Sequence, residues 1–230
     1  MQVVSYNRES HDQLALLING HLYNTDELHP DLPGSMGMFL NYWEDAFPLA
    51  KRAEEGVKAG RFLQNRGIPY DTVTILAPVP FPTSYRGAHA FRQHVAALGR
   101  SRNAPVAPEV DQYPVFYFGN HYSVQGPGEV QCMPDHLEKL DFALEAAVVV
   151  CKQGRNIPAA LADEYIGGLM IMNGICARKL QSVEMPLNPG DVKGRDFSTA
   201  LGPALITLDE LEFLEIPAKT NHTGKCWHLV

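Results

Sequence analysis

Short apolar runs, broken every few positions by proline, glycine or polar clusters, set the texture of this 230-residue chain. Residues 3–6 and 14–18 have the β-branched and aromatic content of short strands. Asn19-Gly20 then supplies the left-handed pair that a two-residue hairpin turn needs, and residues 21–23 are placed to pair back. Beyond a proline-bearing link at 29–34, Ser35 is a plausible N-cap for a helix through Met38, Phe39, Tyr42 and Trp43. Their spacing puts apolar side chains on one face. Residues 51–58 predict a second, charged helix ending near Gly60. Residues 1–66 are therefore expected to form a small N-terminal β-hairpin and helix module.

From residue 72 the pattern changes. A strand at 73–76 leads into Pro78-Val79-Pro80-Phe81-Pro82, where alternating prolines force an extended approach. A short helix is expected at 89–98, stopped at Gly99. A strand follows at 115–118, with Tyr113, Phe116 and Phe118 read as packing residues. Residues 141–151 form the strongest predicted strand, and their nearly continuous apolar run predicts burial on both faces. Helical segments are expected at 161–166 and 177–183, and extended ones at 169–173 and 204–207. Many short strands with brief helices between them argue for an α+β fold rather than a βαβ nucleotide fold. Gln125-Gly126-Pro127-Gly128-Glu129 does not have phosphate-loop spacing, and its proline removes a donor NH, so it reads as a structural turn.

Composition adds limits. With 45% hydrophobic and 20% charged residues the chain has the makings of one sizeable core. A net charge of −7 argues against nucleic acid as a partner. The longest apolar runs, such as 146–151, fall far short of the ~20 residues a bilayer requires, and residues 1–10 have no secretion-signal pattern. Four scattered cysteines (Cys132, Cys151, Cys176, Cys226) without a CxxC pair fit a reducing compartment, so a cytoplasmic location is expected. In that compartment the formal glycosylation sequon at Asn221 carries no meaning. Cys132 and Cys151 read as core or half-core thiols.

Five blocks in order give a more specific reading. They are Ala77-Pro78-Val79-Pro80; Arg92-Gln93-His94; Leu140-Asp141-Phe142-Ala143-Leu144-Glu145; the stretch from Ala162 through Asp163-Glu164-Tyr165-Ile166-Gly167-Gly168 and Met172-Asn173-Gly174 to Arg178 and Gln181; and Lys193-Gly194-Arg195-Asp196-Phe197 followed by Leu201-Gly202-Pro203. Together they resemble the fumarylacetoacetase family, and the likeness continues at 217–219 and 222–225. The resemblance implies a mixed β-roll or β-sandwich with short helices over residues 67–230, ending short of the family's final strands. It also implies a homodimer and a metal-dependent hydrolase or decarboxylase of β-dicarbonyl, acylpyruvate-like acids. A Mg2+ or Ca2+ ion would polarise the carbonyl and hold the enolate left when the bond breaks.

By the same resemblance, the metal-ligand positions are Gly87, Ala143, Glu145 and Gly174, and only Glu145 carries a carboxylate. Hard cations want several oxygen ligands, so metal binding and activity are expected to be weak or absent. His94 matches the water-activating histidine, and Gln181 matches a substrate-contacting glutamine. Arg195 stands where the family has lysine, and is read with Gln181 as a seat for a small carboxylate. A carboxylate within an apolar strand needs a partner, and Arg178 or Arg195 is expected to pair with Glu145. A substitute zinc set from His89, His94, Glu145 and Cys176 is a further possibility. Three functions stay open: a retired hydrolase that binds a small carboxylate or dicarbonyl compound, an active family hydrolase with a rearranged metal site, and a non-catalytic dimerising protein.

Overall fold

The hairpin turn forms where the sequence asks for it. Asn19 and Gly20 have φ of 50° and 76° and join β2 (His11–Ile18) to β3 (His21–Asn24). The computed structural model describes residues 1–62, 67–101, 103, 105–187 and 192–213. The likeness at 217–219 and 222–225, the sequon at Asn221 and Cys226 lie outside the described residues.

Before the hairpin comes β1 (Gln2–Arg8). After it come α1 (Thr25–Leu28), α2 (Met36–Asn41), α3 (Trp43–Lys58), β4 (Ile68–Pro69), β5 (Thr74–Ile75), β6 (Arg86–Ala88), α4 (Arg92–Ser101) and β7 (Phe116–Phe118). The chain continues through β8 (Val124–Gln125), α5 (Pro134–Leu137), β9 (Leu140–Val150), β10 (Ile166–Ala177), α6 (Arg178–Glu184), β11 (Thr199–Ile206) and α7 (Leu208–Phe213). Seven strands run in the order β4-β3-β2-β1-β11-β10-β9, and β5 joins β1 while β8 joins β11 in parallel. The fold is α+β, a mixed, mostly antiparallel sheet with short helices, and it stays open rather than closing into a barrel. A separate two-stranded ribbon pairs β6 with β7.

Strands from the first 66 residues share this sheet with later ones, because β1 pairs with both β2 and β11. The main core lies between the sheet and the helices of the N-terminal segment, with Val3, Leu14, Leu16, Phe39 and Leu205 excluded from solvent. Burial of a side chain such as Phe39 stabilises by about 1.5–3 kcal/mol. The prolines at 78–82 lock one strand exit: Pro78 is fully buried and its carbonyl accepts a hydrogen bond from Ser5 Oγ at 2.8 Å. Gly126 serves the turn role, since a Cβ there would fall 2.5 Å from the Leu76 carbonyl carbon.

Several expectations change. The helical pattern at 38–43 spans two helices that meet at Tyr42, and the charged segment at 51–58 is the second half of α3, which runs through Pro48. Ser35 occupies the N-cap of α2 without a side-chain capping bond. The apolar run of β9 is not buried on both faces. It is the outermost strand of the sheet path, and Phe142 and Leu144 are 62% and 74% exposed. Periodicity alone cannot separate a doubly covered strand from an apolar edge. Tyr113, Phe116 and Phe118 are likewise exposed rather than packed in a core.

Candidate functional site

Two neighbouring strands bring the site together. In the antiparallel ladder of β9 and β10, Ala143 lies opposite Gly174 and Glu145 opposite Met172. Side chains two apart on a strand share a face, so Ala143 and Glu145 point the same way. They form part of the wall of a cavity of about 1810 Å³, which Gly87 of β6 also lines. Gly174 lies directly beneath Glu145: a Cβ built there would fall 2.5 Å from Glu145 Oε1. The four positions marked by resemblance therefore do meet.

The space around them is occupied. A Cβ at Gly87 would fall 2.3 Å from the Tyr117 ring, so Tyr117 of β7 fills the volume that a side chain at 87 would take. At Gly174 the close neighbour is only the movable carboxylate end of Glu145. The Tyr85 and Tyr117 hydroxyls are 3.4 Å apart, and the Arg195 guanidinium lies 5.3 Å from the Tyr117 ring centroid. Tyr85, Tyr117, His89, His94, Cys176 and Arg195 all line the same cavity.

Electrostatics follow from this crowding. Burial pushes the Glu145 carboxyl up from its ordinary value, while Arg195 and His94 pull the other way. Burial also pushes Tyr85 far up, aided by the Tyr117 hydroxyl and by Glu145, so it stays a neutral hydrogen-bonding phenol. The Cys176 thiol is raised by burial, against the pull of Arg178 and Arg195. It is a protonated side chain rather than a ready thiolate.

Arg195 is held by the backbone around it. The Gly194 carbonyl accepts from Ala177 N at 2.8 Å, and the Gly194 and Lys193 amides donate to the Glu184 carboxylate at 3.1 and 3.2 Å. Asn120 Nδ2 donates to the Asp196 carbonyl at 2.9 Å. Gly194 is needed here because a Cβ would fall 2.4 Å from Gln181 Cγ.

Arg178 does not pair with Glu145; its Nε donates to Asp141 at 2.9 Å and its Nη1 to Gln181 Oε1 at 3.0 Å. Arg178 stands at the head of α6, beside the start of β9 where Asp141 sits, so it meets the nearer carboxylate. Arg195, by contrast, does act on Glu145 electrostatically. Gln181 is buried on α6 and is not among the residues lining the cavity. His94 is exposed on α4, with its ring 6.2 Å from that of His89. Among the described residues no three His, Cys, Asp or Glu side chains form a group able to hold a metal ion, the zinc combination included. Cys151 and Cys176 are buried free thiols, and Cys132 is half-buried.

Sequence reasoning passed over Tyr85 and Tyr117. The alternation of strand faces held a signal for the second: if Phe116 and Phe118 point outward, Tyr117 must point in. Among the described residues no helix is long and apolar enough to cross a membrane.

Comparison with known proteins gives a consistent result. The family model for the fumarylacetoacetate hydrolase C-terminal region matches residues 84–225. A human relative, oxaloacetate tautomerase FAHD2B, mitochondrial, is 28% identical over 203 residues, covering 84% of this chain and 57% of its own length. The chain thus spans little more than half the length of such curated relatives. Among solved structures, the fumarylacetoacetate hydrolase of Exiguobacterium antarcticum matches with a TM-score of 0.56 at 18% identity, over 91% of this chain and 67% of that one. A maleylpyruvate hydrolase of Sphingobium, solved with manganese(II) and pyruvate, matches with a TM-score of 0.59 at 15% identity, over 91% and 68%.

Proposed function

We propose, from the premise that this chain belongs to the fumarylacetoacetate hydrolase family, that its pocket binds a small 2-oxo carboxylate with little or no metal-dependent carbon–carbon hydrolysis. The observation that carries this reading is the Tyr117 ring standing in the side-chain volume of Gly87, with Glu145 the single carboxylate among the four inferred ligand positions. The residues present do not fit a Mg2+ or Ca2+ ion: one carboxylate is a poor donor set for a cation that wants six or more oxygens. Losing a Lewis acid removes several kcal/mol of transition-state stabilisation, and each ~1.4 kcal/mol is tenfold in rate.

What remains suits an anion. Arg195 would take the carboxylate, and the Tyr85 and Tyr117 hydroxyls would donate to the adjoining carbonyl. Gln181 supports this head site from behind by holding Arg178, and His94 stands at the cavity wall. We further propose that the chain forms a homodimer, for which the exposed apolar residues of edge strand β9 are the supporting feature.

The test combines binding with turnover. Calorimetry with pyruvate and 2,4-dioxopentanoate should detect binding that weakens at least tenfold in Arg195→Gln. Hydrolysis of the dioxo acid with Mn2+ or Mg2+ present should stay at background. Rapid hydrolysis by the unmodified chain would favour the alternative of an active family hydrolase with a rearranged site.

A further inference from the structure

The cavity is much larger than a small dicarbonyl acid requires. Its volume of about 1810 Å³ exceeds the ~300–1,000 Å³ usual for small-ligand pockets. Its chemistry is also one-sided. Groups that suit a carboxylate head, Arg195, Tyr85, Tyr117 and His94 among them, cluster around Glu145, and Arg86 and Arg178 line the same cavity. Away from that end, Ala147, Val149 and then Cys151, the residue just beyond the strand, share the face of Glu145, and Ala146, Val148 and Val150 also line the cavity where it opens at the edge of β9.

From Glu145 to Cys151 this wall extends for about 20 Å at the ordinary strand rise. Its neighbours on the sheet are apolar as well. Met172 sits opposite Glu145, Met170 opposite Ala147, and Leu201 opposite Met172. Trp43 closes the far end from α3, near Gly167 and Cys151. Among the described residues charge returns at the rim, where Lys152 pairs with Glu44 at 3.3 Å and Asp45 also lines the cavity. A two-headed acid reaching for Lys152 would have to lay its middle along the apolar stretch. An unbranched apolar chain, by contrast, fits the whole length.

We infer that the cavity takes a 2-oxo or 2,4-dioxo carboxylate carried on an unbranched apolar chain of about ten carbons, head at Arg195 and tail along β9 toward Trp43. This rests on the head-group reading proposed above. Each buried methylene tightens binding by roughly three- to fourfold before the loss of chain freedom is counted.

The test is calorimetry on the full chain with 2,4-dioxopentanoate, 2,4-dioxotetradecanoate and 1-dodecanol, all below their aggregation limits. The long acid should bind at least ~100-fold more tightly than the short one. Ala147→Phe should remove most of that advantage and leave short-acid binding unchanged, while Arg195→Gln should weaken both acids. If Ala147→Phe fails to fold by circular dichroism, the smaller Ala147→Leu carries the same expectation at reduced size. Equal affinity for the two acids would overturn the tail and leave the head-group reading intact. Binding of neither acid would overturn the head-group reading, and the tail with it. Dodecanol binding as tightly as the long acid, or long-acid binding undiminished in Arg195→Gln, would show a merely greasy surface and overturn the inference.

Discussion

At Gly174 a single added carbon would fall 2.5 Å from Glu145 Oε1, and at Gly87 one would fall 2.3 Å from the Tyr117 ring. At Gly87 a ring has taken the space, whereas at Gly174 the neighbour is the movable end of Glu145. Gly87→Asp should destabilise by about 1–3 kcal/mol through overpacking, and much of that loss should return in Gly87→Asp/Tyr117→Ala. Urea denaturation of the four proteins of that cycle measures the coupling, and additive losses would mean that Tyr117 does not hold the space. Glu145 gives a pH signature. Its folded-state carboxyl is raised by burial, so the folded state holds the proton more tightly than the unfolded chain. The burden on stability is therefore absent below the ordinary value of 4.5 and grows as pH rises through the folded value. Glu145→Gln should stabilise at pH 7.5, and the gain should vanish near pH 4. A gain independent of pH would assign the effect to packing instead. The family resemblance marked Gly87, Ala143 and Gly174 as inferred ligand positions, and the residue names alone report no carboxylate there. The sequence could not show what stands at Gly87, because Tyr117 and Gly87 lie on different strands and meet only in the folded ribbon.

Single elements show where pattern reading succeeds and where it stops. The Asn19-Gly20 hairpin was legible because its turn is fixed by two adjacent residues. Strand β9 was legible as a strand but not as an edge, because the same apolar run serves a covered strand and an exposed one. Its pairing with β10 is what gathers Ala143, Glu145 and Gly174, and that register is a non-local fact. The outward residues Phe142 and Leu144 leave a large apolar face in solvent. Homodimer formation would cover such a face, so Leu144→Lys should shift the chain toward monomer at micromolar concentration in light scattering. A wild-type monomer under the same conditions would count against the dimer. At the other end of β9, Asp141 ties the strand to Arg178 of α6, and that hydrogen bond holds its carboxyl below the usual range.

Across the whole molecule, one sheet links the beginning of the chain to its later strands. β1 lies between β2 and β11, and Thr207 N donates to the Met1 carbonyl at 3.1 Å. A unit that ends at residue 66 would leave the β1–β11 seam exposed, so the sheet should unfold together. Circular dichroism and tryptophan fluorescence are expected to report one coincident urea transition, and two separated transitions would contradict this. The α+β class was legible from many short strands and brief helices, whereas the joining of the two segments through β1 and β11 depends on contacts some two hundred residues apart. At this scale the proposal joins a fumarylacetoacetate hydrolase family fold to an inferred metal position that is crowded by Tyr117 and short of carboxylates. Titration of the purified, chelator-treated chain with Mn2+, followed by calorimetry and by elemental analysis after desalting, tests it most directly. No stoichiometric ion is expected at micromolar free metal. One tightly held ion per chain, with acylpyruvate hydrolysis rising in step, would contradict the proposal.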